Sequence, residues 1–387
     1  MSIISIIFFF SAFIIFWAMI GYPLSLKILR KIYKNRTLIK DYSYEPTVTV
    51  MVVAHNEEKV IYEKLQNIIN LDYPREKIEF LIASDNSTDR TNDIVKEFIE
   101  KNPQYKIRLY EVKERKGKTN AQNEAQKTVK SEILVMTDAN SMLEKNSVRE
   151  LVSSFTSEDI SYVCGRLIYI NKNLTDVASL ENLYWDKDTE LRKIESDIQT
   201  ITAGNGAIYA CRNAYYYDFE PIKSHDGNMP RYYALNGKRA VYNPDAIAYE
   251  KAGEVIEDEF KRKVRMNRGI LFNILPDLRI LNFVKYRWFS YFYIGHRTCR
   301  YLLWISHLLV FITNALLIFD SWFYALTFMG QLIFYSLALI KKITKTKNKY
   351  LTLIYYYCIT IIAQWVGVYN ILTGKAKPFW EKAESTR

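Results

Sequence analysis

The chain has 387 residues, enough for one large domain or two ordinary ones, and carries 53 Lys and Arg against 42 Asp and Glu, a net charge of +11. Its four cysteines, Cys164, Cys211, Cys299 and Cys358, lie far apart with neither metal nor redox spacing, which argues against a disulfide framework or a structural zinc site. The positive charge suits anionic lipid or an acidic ligand such as a nucleotide. Nucleic-acid binding is set aside, because apolar segments flanked by lysines already account for the bases.

No charged residue occurs between Met1 and Leu26, and Ile3 to Ile20 is almost purely apolar. A run of this kind crosses a hydrocarbon core, which takes roughly 20 apolar residues. A cleaved signal peptide would carry basic residues before the apolar run, whereas here they follow it, at Lys27, Arg30, Lys31, Lys34, Arg36 and Lys40. Residues 1–26 are therefore expected to form an anchor and 27–45 a basic cytoplasmic linker.

Next comes strand and helix text in alternation. TVTVMVVA reads as a strand and EEKVIYEKLQNIINL as an amphipathic helix; IEFLIAS is a second strand, followed by a helix over Thr88–Lys101. KIRLYEV, GKTNAQNEAQKTVK and SEILVMT continue the pattern. Strand-length runs separated by helical patterns predict an α/β domain with a mostly parallel, Rossmann-like sheet, here over residues 46–275.

The polar residues fall at the carboxyl ends of these strands. The first ends in Ala54-His55-Asn56-Glu57, the second in Asp85-Asn86-Ser87-Thr88-Asp89. The third is followed by Glu114-Arg115-Lys116-Gly117-Lys118, and the fourth ends in Asp138-Ala139-Asn140. In open α/β sheets that edge is the ligand crevice. Taken singly, Asp85 could cap a helix, Lys118 could lie in a solvated loop, and Asp138 and Asn140 could open a turn. Their common rim is what those readings leave unexplained. A carboxylate beside a second oxygen donor suits Mg2+ or Mn2+, whose remaining positions diphosphate and water fill. Lys118 would add a positive charge near the same phosphates.

In order along the chain, VVAHNEE, ASDNSTDRT, ERKGKTNAQNEA, VMTDAN, GNGAIYACR, SHDGNMP and EFKRKVRMNRG resemble the motifs of membrane-associated inverting glycosyltransferases of family 2, with a GT-A catalytic domain. The likeness runs from Pro46 to about Gly269, and the flanking apolar segments fit the polysaccharide-synthase branch. It implies that Ala54, His55, Glu57, Asp85, Lys118, Asp138 and Arg265 bind a nucleotide-diphospho-sugar, UDP-linked. It makes Asp138 and Asn140 the metal ligands, Asn140 standing where the D-x-D motif has its second acid. Asp226 becomes the catalytic base, whose structural alternative is to cap a helix over Gly227–Leu235. Gly204, Asn205, Gly206, Arg262 and Trp380 would meet a saccharide or lipid-linked acceptor. Polymerising relatives carry Q-x-x-R-W where this chain has Arg262-Lys263-Val264-Arg265-Met266, so neither the glutamine nor the tryptophan is present and processive synthesis is put in doubt. Arg262, Arg265 and Arg268 recur every three residues and would share a helix face.

Residues 276–300 read as an interfacial segment. Residues 301–374 form a membrane region in which Leu302–Phe319 and Trp322–Ile340 are two spans, placing the KKITKTKNK loop in the cytoplasm; Leu351–Gly374 either crosses or lies along the inner surface. If it crosses, the tail 375–387 ends outside; if it lies flat, the tail reaches the site. The expected whole is a multi-pass protein of the inner or plasma membrane with its catalytic domain in the cytoplasm. Polysaccharide-assembly proteins are its expected partners in building cell-surface polysaccharide. The rivals are a polyprenyl-phosphate glycosyltransferase, a nucleotidyltransferase, and a non-catalytic membrane scaffold.

Overall fold

A computed structural model describes residues 2–33, 38–171, 176–253, 255–346 and 348–379. Trp380, assigned above to acceptor binding, lies outside them. Eight strands form one sheet in the order β3-β2-β1-β4-β7-β6-β8-β5. They are β1 (Val48–Ala54), β2 (Ile78–Ser84), β3 (Ile107–Glu111), β4 (Ile133–Asp138), β5 (Met142–Leu143), β6 (Ile160–Tyr169), β7 (Ile208–Arg212) and β8 (Arg239–Glu250). The first four pair in parallel, as their alternation with helices predicts. β6 pairs in parallel with β8, whereas β7 runs antiparallel to β4 and β6, and β5 antiparallel to β8, so the sheet is mixed with a parallel majority of pairings.

Side chains of successive strand residues face opposite ways, and both faces of this sheet are covered. Val48, Val50 and Val52 pack with Ile78, Phe80, Ile82, Ile133 and Val135 beneath the helices Ile61–Ile69 and Thr91–Lys101. Met51, Val53, Leu81, Leu134 and Met136 pack on the other face with Ala121, Ala125, Met229 and Tyr233, from the helices Lys118–Gln126 and His225–Leu235. Register sets Val53 opposite Asp138 and Ala54 opposite Ser84. The polar ends of β1, β2 and β4 thereby share one edge. The chain leaves β1 toward β2 and β3, then returns to place β4 on the other side of β1, which is the switch point where such sheets bind ligands.

Among the described residues, three helices are long and apolar enough to cross a membrane: Ile3–Ile32, Trp322–Thr344 and Lys349–Leu372. A fourth candidate is the pair Trp288–Tyr301 and Leu303–Leu317, bent by 60°. The first runs past the expected anchor into the basic linker. A π-turn at Trp17–Gly21 precedes Pro23, which can donate no backbone hydrogen bond, and the helix continues to Ile32.

A buried polar network ties that first helix to the catalytic domain. The Tyr22 hydroxyl donates to Glu195 Oε1 at 2.6 Å, and His296 Nδ1 meets the same oxygen at 2.6 Å. His296 Nε2 lies 3.0 Å from Asp188 Oδ1, which also accepts from Arg300 at 2.7 Å, while Arg192 holds Oδ2 at 2.7 Å. Burial opposes the charge on Asp188, but His296 and Arg192 outweigh it and hold the carboxyl well below its ordinary range. The helix Lys349–Leu372 is held on two sides. Toward the catalytic domain Tyr356 lies under Lys263 Nζ at 4.7 Å, and Gly367 packs against Asn267, where a Cβ would approach to 2.7 Å. Toward the other apolar helices Tyr357 hydrogen-bonds His307 at 2.8 Å, and Gln364 bridges the Arg300 carbonyl and the Trp304 amide.

Replacing His296 by Ala leaves two buried carboxylates facing each other without their shared partner. Removing one member of a buried charge network costs about 3–5 kcal/mol, and a matching drop in unfolding free energy of the detergent-solubilised protein is expected. An unchanged denaturation midpoint would count against the network as the joint between the first helix and the domain.

Candidate active site

The loop after β1 is pinned to the loop after β2. The Ala54 carbonyl accepts from the Asp85 amide at 2.8 Å, and His55 Nδ1 donates to the Asp85 carbonyl at 2.8 Å. Asn56 and Asn86 both adopt the left-handed conformation, with φ of 54° and 53°, which asparagine tolerates better than most residues. Glu57 is buried, and its amide donates to Thr91 Oγ1 at 2.7 Å. The helix expected from Thr88 starts at Thr91, because the Asp89 carboxylate accepts the Thr91 amide at 3.0 Å and serves as its cap.

Asp85 is 2 % exposed and closes this end of the rim. Its two oxygens accept the Lys116 amide at 3.1 Å and the Gly117 amide at 2.9 Å. Burial raises its pKa, and those amides pull the other way. Gly117, with φ of 96°, makes the turn into the helix that Lys118 opens. A Cβ there would lie 2.6 Å from the Pro378 carbonyl oxygen, so the chain end is laid against this loop. Phe379 stacks under Arg115 at 4.8 Å.

Lys118 points from its helix to Asp138 Oδ1 and forms an ion pair with it. Burial works against the ammonium charge, but Asp138 and then Asp226 outweigh it, and the pKa lies above the ordinary value. Gly206, in the loop before β7, completes the centre. A Cβ placed on Gly206 would stand 2.9 Å from Lys118 Nζ, 3.3 Å from Asp138 Oδ2 and 3.8 Å from Asp226 Oδ2. Residues from β4, from the loop before β7 and from the helix His225–Leu235 thus converge on one point. Asp226 sits in the first turn of that helix rather than capping it from outside, since the helix begins at His225. The Asp226 carbonyl accepts the Gly204 amide at 2.8 Å, which ties the Gly204–Gly206 loop to the aspartate.

Not every assigned residue turns toward this centre. Asn205 is buried, its Oδ1 accepting the Ala207 and Ile208 amides and its Nδ2 donating to the Gly165 carbonyl at 2.8 Å. It shapes the loop from below, so direct acceptor contact through its amide is corrected to a folding role. Arg262 makes a two-pronged bond to Glu259 on its own helix, Ile256–Met266, at 2.8 Å each. Arg265 lies on the same helix, one residue from its end. Arg268, in the following turn, is held below its ordinary pKa by burial, which the Asp226 charge opposes, and it donates to the Pro378 carbonyl at 2.7 Å. His225 is a buried support, hydrogen-bonded to Gln122 at 2.9 Å and Tyr216 at 2.8 Å. Burial and the nearby Lys118 push it down to about 3.

Two charged residues were not anticipated. Lys64 is fully buried on the helix Ile61–Ile69, donating to Thr137 Oγ1 at 3.0 Å and to the Ser141 carbonyl. Glu250, at the end of β8, accepts from Ser141 Oγ. The only sequence signal for Lys64 is a lysine at a core-facing helical position, and for Glu250 an acid ending a strand. Among the described residues no three His, Cys, Asp or Glu side chains cluster as a self-sufficient metal site. Asp138 with the Asn140 amide oxygen offers two hard oxygen donors, which fits Mg2+ or Mn2+ when a diphosphate supplies the rest.

Comparison with known proteins agrees with this architecture. Residues 49–225 match the family described as Glycosyl transferase family 2. A probable glycosyltransferase of Bacillus subtilis (strain 168) is 29% identical over 264 residues, covering 64% of this chain and 63% of that protein. The beta-monoglucosyldiacylglycerol synthase of Synechocystis sp. is 37% identical over 112 residues, 29% of this chain and 23% of that one. The poly-beta-1,6-N-acetyl-D-glucosamine synthase of Staphylococcus epidermidis is 23% identical over 278 residues, 70% and 66% of the two chains. The chain spans less than two thirds of the length of the first two relatives. Among solved structures, a mannosyltransferase from Pyrobaculum calidifontis in complex with GDP-Man and Mn2+ superimposes with a TM-score of 0.71 at 22% identity, over 94% of this chain and 99% of that one, a likeness of fold.

Substituting Gly206 by Ala drives a methyl group against Lys118 and Asp138. The protein is expected to keep its melting temperature within a few degrees and to lose at least about tenfold in sugar transfer, the effect of displacing one oriented group; full activity would sink the convergence argument. His225 gives a pH signature. It stays neutral in the fold down to about 3 but titrates near 6.5 when unfolded, so the unfolded chain takes up the proton first as pH falls. Its contribution is intact above about pH 6.5 and erodes by up to about 1.4 kcal/mol per pH unit toward pH 3. Unfolding free energies measured across that window should depend less steeply on pH in His225→Gln than in the wild type; parallel curves would refute this.

Proposed function

We propose that this chain, which carries a glycosyl transferase family 2 domain and is therefore a glycosyltransferase, moves a sugar from a nucleotide-diphospho-sugar, UDP-linked, to a saccharide or lipid-linked acceptor with inversion. The carrying observation is the meeting of Asp138, Lys118 and Asp226 around Gly206. A sugar whose diphosphate lies on the Lys118 and Asp138 side would present its anomeric carbon to an acceptor hydroxyl on the Asp226 side. The hydroxyl oxygen forms the new bond to carbon as the bond to the diphosphate oxygen breaks with its electron pair. Asp226 takes the hydroxyl proton, so no covalent intermediate is needed.

The other residues prepare that step. The pocket framed by His55, Glu57 and Asp85 receives the nucleoside, its main-chain bonds keeping the two loops at fixed separation. Lys118, already buried beside Asp138, faces the diphosphate with a charge that needs no further desolvation. Arg268 adds a positive charge on the Asp226 side. Asp138 and Asn140 would hold Mg2+ or Mn2+, which when bound neutralises charge on the departing diphosphate. Mn2+ beside GDP-Man in the Pyrobaculum calidifontis mannosyltransferase supports both the metal and the donor class. Glycolipid and polysaccharide synthases among the relatives support a saccharide or lipid-linked acceptor and a place in cell-surface glycan synthesis.

The apolar helices support a multi-pass membrane protein with its catalytic domain at the cytoplasmic face. Lys349–Leu372 is gripped by the catalytic domain on one side and by His307 and Trp304 on the other, and the residues after it reach Gly117 and Arg268. Those contacts favour a helix lying along the inner surface over one that crosses.

The decisive assay incubates purified protein with UDP-sugars and GDP-mannose in Mn2+ and follows the released product, with an oligosaccharide, a diacylglycerol-based lipid or a polyprenyl phosphate as acceptor. Release of a nucleoside diphosphate is expected; pyrophosphate would point to a nucleotidyltransferase, and transfer to the lipid phosphate alone to that acceptor class. Asp226→Asn should lower transfer by about 10²–10⁴-fold while binding UDP as the wild type does. Undiminished transfer would remove Asp226 from the chemistry.

A further inference from the structure

We propose, on the reading of the rim as a diphosphate and divalent-cation site, that Lys64 is the positioning residue that holds the Asp138–Asn140 turn in its metal-receiving shape. Asn67 and Glu250 complete the grip. Lysine is almost never fully buried unless something retains it, and Lys64 is 0 % exposed. Its amine takes hold of the turn at both ends: Thr137 Oγ1, just before Asp138, at 3.0 Å, and the Ser141 carbonyl, just after Asn140. Side chains alternate along a strand, so an amine gripping Thr137 works from behind β4. The face on which Asp138 meets Lys118 stays open.

Two further contacts act on the same few residues. Asn67, three positions after Lys64 and hence on the same helix face, gives Nδ2 to the Leu143 carbonyl and takes the Leu143 amide on Oδ1, both at 2.8 Å. From the opposite side Ser141 Oγ donates to Glu250, while the Ser141 amide closes the turn onto the Asp138 carbonyl at 3.2 Å. The turn is therefore clamped between one helix and the end of β8. An apolar side chain of Lys64's length would fill the space equally well, yet it would leave the Ser141 carbonyl without this donor. The amine is there for the turn.

Outer partners of metal ligands are worth about 10–100-fold in metal affinity. The full-length protein in detergent is titrated with Mn2+ in the presence of UDP, and free Mn2+ is read by electron paramagnetic resonance for the wild type, Lys64→Met and Glu250→Gln. Lys64→Met is expected to keep a cooperative melt, bind Mn2+ about 10–100-fold more weakly, and regain most of its kcat at saturating Mn2+. A folded Lys64→Met with wild-type Mn2+ affinity overturns the inference while leaving the functional reading intact. A wild type that takes up no Mn2+ with UDP overturns both. If Lys64→Met does not fold, Glu250→Gln decides: weaker Mn2+ binding upholds the clamp, and unchanged affinity ends it.

Discussion

Three carboxylates and two lysines share one corner of this protein, and their mutual compensation is the condition on which the rest depends. Asp138, Asp226 and Glu250 all act on Lys118, and Asp138 and Glu250 act on Lys64. Carboxylates gathered this closely would repel one another and drive up their own proton affinity. Lys118 answers them with a charge that Asp138 and Asp226 hold against burial, whereas burial pushes the Lys64 amine down to about 7. Lys118 reaches Asp138 from the ligand side, and Lys64 supports the same strand end from behind. The arrangement sets a lysine on each side of the strand end that carries Asp138.

Local backbone choices serve the same end. Gly206 has no side chain because lysine and both aspartates already occupy its surroundings, and Gly204 hands its amide to the carbonyl of the proposed base. The main-chain bond from Asp85 to Ala54 and the His55 imidazole on the Asp85 carbonyl hold two loops that would otherwise move independently. The site is fixed mostly by backbone, and the few side chains left over are those with chemistry to perform.

The domain is joined to its apolar helices by charge as well as by grease. Tyr22, Glu195, His296, Asp188 and Arg300 form one buried chain of contacts across the first helix, the helix Asp176–Ile198 and the segment before Leu303. Buried ion pairs add little net stability over apolar packing, but they tolerate few alternative geometries. The Lys349–Leu372 helix then carries the chain back to Gly117 and Arg268, so apolar region and catalytic rim meet again at the other end.

Read alone, the sequence determined the parallel half of the sheet, the apolar helices, and the rim residues Asp85, Lys118, Asp138 and Asp226. Hydrophobic period, strand length and the position of polar residues at strand ends are local properties, set by neighbours a few places away. The antiparallel pairing of β7 with β4, the inward turn of Asn205, the pairing of Arg262 with Glu259 and the approach of Arg268 to Asp226 were decided by tertiary structure. So were the burial of Lys64 under the Asp138 turn and the wedged position of the last helix. Each depends on a partner that folding brings close or on which way a side chain turns, and a buried charge looks in sequence like an exposed one until the group that neutralises it is in place.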